Sequence, residues 1–327
     1  MLNFSRFVMM KPVNLVAIGG GTGLSTLLSG LKKFVGKEIA SLTAVVTVSD
    51  DGGSSGRLRK EFQVLPPGDI RNCIVALSED SLLISKLFQH RFSGNGELGG
   101  HSFGNLFLLA LTELTGDFAK AIKLSSEILA TKGHIYPATL SDVKLIAELE
   151  DGSIVEGETQ VTKVGSKVKK LNLSPENCSA FPEAVEAIKS ANIITVGPGS
   201  LYTSVIPPLL IKQIADEVAS SKAVKIFISN LMTQPGETDG YSIERHLQVV
   251  KTHAPQINFD YLILNNRRIR KDQAEAYAKE GAEQIEFENV HLEGIKIIKD
   301  DLLDEGEKVR HNPEKLAEII LSCLEES

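Results

Sequence analysis

A chain of 327 residues that is 42% hydrophobic and 24% charged can bury a large core without disulfide or metal staples. Its net charge of −7 excludes the basic footprint that a nucleic-acid backbone requires. Cys73, Cys178 and Cys323 are widely spaced and form no C-x-x-C pair, which excludes a cysteine zinc site and a disulfide framework and fits reduced thiols in the cytoplasm.

The N-terminus, "MLNFSRFVMMKPVNLVAIGGG", lacks the apolar core and cleavage site of a signal peptide. No apolar run reaches the ~18 residues that span a bilayer. Val13 to Ile18 reads as a buried strand ending in glycines, and Leu24 to Phe34 as a helix with leucines at 24, 27, 28 and 31 on one face. Leu42 to Val48 is a second β-branched run, which completes a βαβ unit and implies a parallel sheet. Residues of about 70–131 read as consecutive helices, including Phe103 to Leu114 and Ala119 to Ala130. Residues of about 140–173 alternate in polarity, with turn signals at Asp151-Gly152 and Gly165-Ser166, and predict a small antiparallel β insertion. Strand-loop-helix units return at 193–196, 224–229 and 261–264. The expectation is an α/β, Rossmann-like, doubly wound and mainly parallel sheet. It forms one domain over 1–327, with the helical segment and the β-hairpin insertion inside it. The basic cluster Arg267-Arg268-Ile269-Arg270-Lys271 reads as a solvated loop.

Six polar stretches stand out from this scaffold. "VAIGGGTGLSTLL" places Gly19, Gly20, Gly21, Thr22 and Gly23 between a strand and a helix, where backbone N–H groups and the helix dipole favour a phosphate. The third glycine of a dinucleotide fingerprint would fall at Leu24, and no P-loop lysine follows, which counts against an NAD oxidoreductase and a P-loop ATPase. "VSDDGGSSGRLR" follows the second strand. Asp50 and Asp51 can hold Mg²⁺ or ribose hydroxyls, Gly52, Gly53, Ser54 and Ser55 can form an anion nest, and Arg57 can fork onto a phosphate; the alternative is a flexible surface loop. In "LPPGDIRNCIVALSE", Asp69 is placed as the N-cap of a helix, with Arg71 and Asn72 in its first turn. In "GGHSFGNLFLLALTEL", Ser102 caps a helix that carries Asn105. His101 is a ligand contact or, equally, a structural loop histidine.

"VGPGSLYTSVIPPLL" offers a second glycine turn, with Gly197, Gly199 and Ser200. "SNLMTQPGETDGYS" supplies Asn230, Thr233, Gln234, Glu237 and Thr238 on a strand-end loop. Four of the six follow predicted parallel strands and are expected to converge on one sheet edge as a nucleotide-sized cleft.

Together these stretches resemble the YvcK family of gluconeogenesis factors, over nearly the whole chain. The wider group includes CofD, the Mg²⁺-dependent 2-phospho-L-lactate transferase. The resemblance implies a Rossmann-like fold, a cytoplasmic bacterial protein, UDP-sugars such as UDP-N-acetylglucosamine as ligands, and a regulatory role in growth and cell shape on gluconeogenic carbon. It implies that Gly20 to Gly23 and "DDGGSS" form the cleft and that "GPGS" and "NLMTQPGET" close it. The sequence departs from the transferase where Pro67-Gly68-Asp69-Ile70-Arg71-Asn72 replaces a P-D-L-D-T-type stretch, and where Gly197-Pro198-Gly199-Ser200-Leu201 replaces a G-P-S-N-P-type one.

The leading expectation is therefore a non-catalytic nucleotide-sugar sensor, acting through ordering of the 50–59 and 231–240 loops on an unidentified protein partner. The rival is a Mg²⁺-assisted transferase of phosphorus-containing groups with Asp50, Asp51 and Asp69 as metal ligands. No nucleic-acid partner and no membrane span are expected, and a homodimer is the base-rate expectation.

Overall fold

The computed structural model describes residues 11–79, 82–164 and 168–324. The N-terminal expectation rests mainly on residues 1–10, and the Gly165-Ser166 turn on 165–167; both lie outside the described residues.

The β-branched runs form strands because both their faces are buried. β1 (Val13–Gly19) sends Val16 and Ile18 into one core and Leu15 and Ala17 into another on the opposite face. Such two-sided burial marks a central strand of a parallel sheet. β2 (Ile39–Val46), β3 (His134–Pro137), β7 (Ile193–Val196), β8 (Val224–Ile228), β9 (Tyr261–Asn265) and β10 (Lys296–Asp300) join it. All six pairings are parallel, in the order β10-β9-β8-β7-β1-β2-β3. The chain steps outward from β1 through β2 to β3, then returns to the other side of β1 and steps outward again. The reversal lies between β1 and β7, and their carboxyl ends flank the crevice it leaves.

The helix Gly21–Leu31 turns Leu24, Leu27, Leu28 and Leu31 into the core, as its spacing predicts, but it begins three residues before Leu24. Helices Gly68–Leu77, Leu82–Gln89, Phe103–Thr115 and Phe118–Ile128 fill the helical segment. The insertion is a three-stranded antiparallel sheet of β4 (Lys144–Leu149), β5 (Ile154–Glu156) and β6 (Val168–Ser174), ordered β5-β4-β6. Leu145, Ala147 and Leu149 form its buried row and share a core with the main sheet. Among the described residues, no helix is long and apolar enough to cross a membrane.

Three local expectations are corrected. The second strand runs from Ile39 to Val46, not to Val48. Residues 52–56, expected as a nest or a flexible surface loop, instead open a helix, Gly53–Phe62. Its small residues permit this: Ser54, Ser55 and Gly56 face inward, and a Cβ on Gly68 would lie 2.5 Å from Ser55 Oγ. A short helix, Glu158–Lys163, interrupts the insertion, and β3 and β10 are edge strands without a long apolar run. The basic cluster is an exposed loop, as expected, and its charges are paired. Arg267 pairs with Asp301 and Glu305, and Arg268 pairs with Glu286 and Glu288. Cys73, Cys178 and Cys323 are free and buried.

Candidate functional site

Two glycine turns meet at the crevice. Gly20 is the N-cap of Gly21–Leu31, and the first-turn N–H groups of Thr22 and Gly23 have no partner four residues back in the helix. Gly21 takes φ +62°, which favours glycine. A Cβ on Gly20 would lie 2.5 Å from both Asp69 Oδ2 and Thr47 Cγ2, so this turn is pressed against its neighbours. The second turn is clamped from β8. Asn230 Oδ1 accepts the Gly199 N–H at 3.0 Å, and Asn230 Nδ2 donates to the Gly199 carbonyl at 2.8 Å. Gln234 Nε2 donates to Ser200 Oγ at 2.7 Å. Gly199 N–H is therefore already used, and the second turn is no free phosphate nest.

Between the turns lies a cleft of about 380 Å³. Gly20, Gly21, Thr22 and Gly23 line it from the first turn, Gly199 and Ser200 from the second. Asn230, Thr233 and Gln234 line it from the loop after β8. Sequence reasoning missed its far wall: Tyr277 and Glu280 from the end of one helix, and Val309, Arg310 and His311 from the segment after β10. No local motif marks these residues; the strand order alone brings them in. Leu231, Met232, Tyr277 and Val309 share one small apolar cluster, so that end of the cleft is less polar than the glycine end.

A polar network ties the helices Gly53–Phe62, Gly68–Leu77 and Phe103–Thr115 together. Arg71 Nη1 donates to Asn105 Oδ1 at 3.1 Å and to Ser102 Oγ at 2.6 Å. Asn105 Nδ2 donates to Ser54 Oγ at 3.1 Å, and Ser54 Oγ lies 3.0 Å from His101 Nδ1. Ser102 caps its helix, as expected, by accepting the Asn105 N–H at 3.3 Å. Ser54, His101 and Asn105 are buried and satisfied by one another. Burial, with Arg57 next in effect, holds the His101 imidazole below its usual range.

Asp69 is not an N-cap. Pro67 holds that position, and Asp69 sits in the first turn of Gly68–Leu77, where it accepts the Gly21 N–H. Burial raises its pKa to about 6; the Gly21 hydrogen bond opposes this and the charge of Asp50 adds to it. Asp50 and Asp51 diverge. Asp50 Oδ1 accepts the Gly52 N–H at 2.8 Å. Asp51 Oδ1 takes Thr159 N at 2.9 Å and Thr159 Oγ1 at 2.6 Å, which ties the insertion helix to the end of β2. Glu158, missed in the sequence, lies at the start of that helix. Burial first, then Asp50 and Asp69, push its pKa well above the carboxylate range. Among the described residues, no group of three or more His, Cys, Asp or Glu side chains is arranged to hold a metal ion. The expected Asp50-Asp51-Asp69 ligand set is thus not formed.

Other expected contacts have structural partners. The Leu24 side chain is fully buried in the core. Arg57 Nη2 donates to the Gly99 carbonyl at 2.8 Å, away from the cleft wall, and Asn72 Oδ1 accepts from Arg71 at 2.6 Å. Gly197 packs close to the Ile228 carbonyl, and Gly52 and Gly53 start the helix after β2. Thr238 Oγ1 accepts the Gln234 N–H at 2.9 Å. Glu237 Oε1 accepts the N–H groups of Tyr202 and Thr203 at 2.7 and 3.1 Å, so it holds the loop to the second turn rather than facing a ligand.

The model of the family described as 2-phospho-L-lactate transferase CofD matches residues 15–303. A gluconeogenesis factor from Halalkalibacterium halodurans is 46% identical over 315 residues, 95% of this chain and 97% of its own length. The gluconeogenesis factor of Bacillus subtilis is 41% identical over 319 residues, 97% of this chain and 99% of its own. A crystal structure of a UPF0052 family member from Bacillus halodurans superposes with a TM-score of 0.91 at 46% identity. It covers 96% of this chain and 100% of that one. With the motif set, the fold and these relatives in agreement, the chain belongs to the YvcK family of gluconeogenesis factors, within the group described by the CofD model.

Proposed function

We propose that this protein is a nucleotide-sugar-binding regulator of the cytoplasm, with UDP-sugars such as UDP-N-acetylglucosamine as ligands. Its role in growth and cell shape on gluconeogenic carbon is part of the same proposal. The observation that carries it is the convergence of two glycine turns, from strands distant in sequence, over a cleft of about 380 Å³ with a polar and an apolar end. That size suits much of a nucleoside diphosphate. Phosphates sit against the N–H groups of Thr22 and Gly23, at the positive end of their helix. The responsive element is the loop 231–240, whose side chains hold the second turn. Residues 53–62 are already helical and give little to order.

Calorimetric titration with UDP-N-acetylglucosamine, UDP-glucose, NAD⁺ and GDP, with and without Mg²⁺, tests the reading. Selective binding of a UDP-sugar without metal, with the ligand recovered intact, is the expected result. Binding of none of them ends the proposal.

A second reading, a Mg²⁺-dependent transferase of phosphorus-containing groups, is favoured by one observation. The Asp69 carboxyl bonds Gly21 within the turn that would hold phosphates, with Asp50 close enough to raise its pKa. An anion there opposes phosphate unless a proton or a cation intervenes. A Mg²⁺ ion is commonly held by one or two carboxylates plus phosphates, which Asp50 and Asp69 could supply. Asp69→Asn separates the readings. On the first, it removes an opposing charge and raises metal-free affinity about fivefold. On the second, Mg²⁺-dependent binding and turnover both disappear.

A further inference from the structure

The two ends of the cleft differ in what they offer a ligand. The glycine end offers donors, the first-turn N–H groups of Thr22 and Gly23. The opposite side offers the Arg310 guanidinium and, beside it, two acceptors. His311 lines the cleft, is 7% exposed, and its Nε2 has no hydrogen-bond partner. Gln234 Oε1, also on a cleft residue, is orphaned in the same way. A buried polar atom without a partner costs free energy and calls for an explanation.

The state of the His311 ring follows from its other nitrogen. The backbone of Ser229, the residue after β8, raises the imidazole pKa against burial, as an accepting carbonyl does, and Nε2 has no partner. A backbone carbonyl can only accept, so Nδ1 carries a proton. Burial pushes the imidazole pKa down to about 4, so at neutral pH the ring carries one proton only. Nε2 is then a bare lone pair. It repels a phosphate oxygen and calls for an N–H or O–H from the ligand. The ring is also held in place. His311 bridges to Leu303, and the next residue, Asn312, donates its N–H to the Leu302 carbonyl at 2.7 Å and caps the helix Pro313–Ser322. In the same cleft, Leu231, Met232 and Val309 supply the apolar surface that a flat heterocycle requires.

We propose that His311 reads the nucleoside end of the ligand, its Nε2 accepting the ring N–H of the base. This rests on the nucleotide reading and gives that reading a direction. Phosphates lie at Gly20–Gly23, and the base lies between the loop after β8 and the segment 309–311. In uracil the one ring N–H of a nucleotide is at N3. His311 is thus a specificity-determining residue, and neither of its ring atoms takes part in a reaction.

The experiment uses the whole chain and three probes: UDP, N3-methyl-UDP and inorganic pyrophosphate. Wild type is expected to bind UDP about tenfold more tightly than N3-methyl-UDP, the scale of one hydrogen bond to a buried acceptor. His311→Leu is expected to lose about tenfold for UDP and to leave pyrophosphate unchanged, while His311→Gln, which restores an acceptor, regains part of the loss. Circular dichroism and a melting curve report whether each variant is folded. If wild type binds UDP and N3-methyl-UDP equally, the role of His311 is wrong while the nucleotide reading stands, and this comparison needs no variant. An equal loss for UDP and pyrophosphate in folded His311→Leu also overturns it. If wild type binds none of the three, the nucleotide reading fails, and this inference falls with it.

Discussion

Gly23→Ala is expected to abolish measurable nucleotide binding and to lower stability by about 3 kcal/mol. The methyl group would sit 2.3 Å from the Pro198 carbonyl oxygen, 2.6 Å from its carbon and 2.9 Å from Gly199 N. All three are backbone atoms of the second turn, so no side-chain rotation relieves the clash. Asn230 fixes Gly199 by two hydrogen bonds, so the turn cannot withdraw without breaking them. The two turns must separate, and the cleft is the space between them. Urea titration and calorimetry would read both effects. Near-wild-type stability together with normal binding would show that the turns do not touch as described.

The second large effect is at Glu237. Glu237→Ala leaves the N–H groups of Tyr202 and Thr203 buried without an acceptor, and an expected loss of about 3 kcal/mol follows. The loop after β8 loses its anchor on the second turn, so affinity should fall as well. Glu237→Gln is a sharper test, because both bonds go to Oε1, which glutamine keeps. It is expected to fold with near-normal stability but with altered pH dependence. Burial raises the Glu237 pKa to about 7 in the fold, against hydrogen bonds from Tyr202 and Thr203 that lower it. The folded state therefore binds this proton more tightly than the unfolded chain. That contribution is fully present below the unfolded value of 4.5 and is lost as pH rises to about 7. Wild type should lose up to about 3 kcal/mol across that window from this group. Glu237→Gln should lack this component. Identical pH profiles for the two proteins would remove Glu237 as the source.

How far the sequence foretold this depends on how local each signal is. β1 and its glycine turn were legible because a β-branched run ending in Gly19 to Gly23 carries its own explanation. The convergence at β1, β7 and β8 follows from parallel strands, whose carboxyl ends share one sheet edge. The helix at 53–62 was not legible, because Gly52-Gly53-Ser54-Ser55-Gly56 has the composition of a turn. Close packing against Gly68 overrides that propensity. The partners of Asp51 and Glu237 are illegible in the sequence for a related reason. Acidic side chains beside glycines suggest a ligand, yet their partners Thr159, Tyr202 and Thr203 lie 34 to 108 residues away in the chain. The far wall left no trace at all. Glu280, Arg310 and His311 acquire meaning only when β9 and β10 place them opposite the glycine turn.

The position of the site between β1 and β7 has a consequence for biosynthesis. Asn14 and Asn192, hydrogen-bonded at the far end of the same two strands, are 178 residues apart in the chain. His311 arrives later still. A nascent chain on the ribosome cannot assemble the pocket until residue 311 has emerged, and contacts of such long range are slow to form. Ligand can therefore recognise only a chain folded from Gly20 through His311. Binding to the native state alone shifts the folding equilibrium by mass action. Abundance of the ligand would then set how much of the newly made protein survives proteolysis, as well as how much of it is occupied.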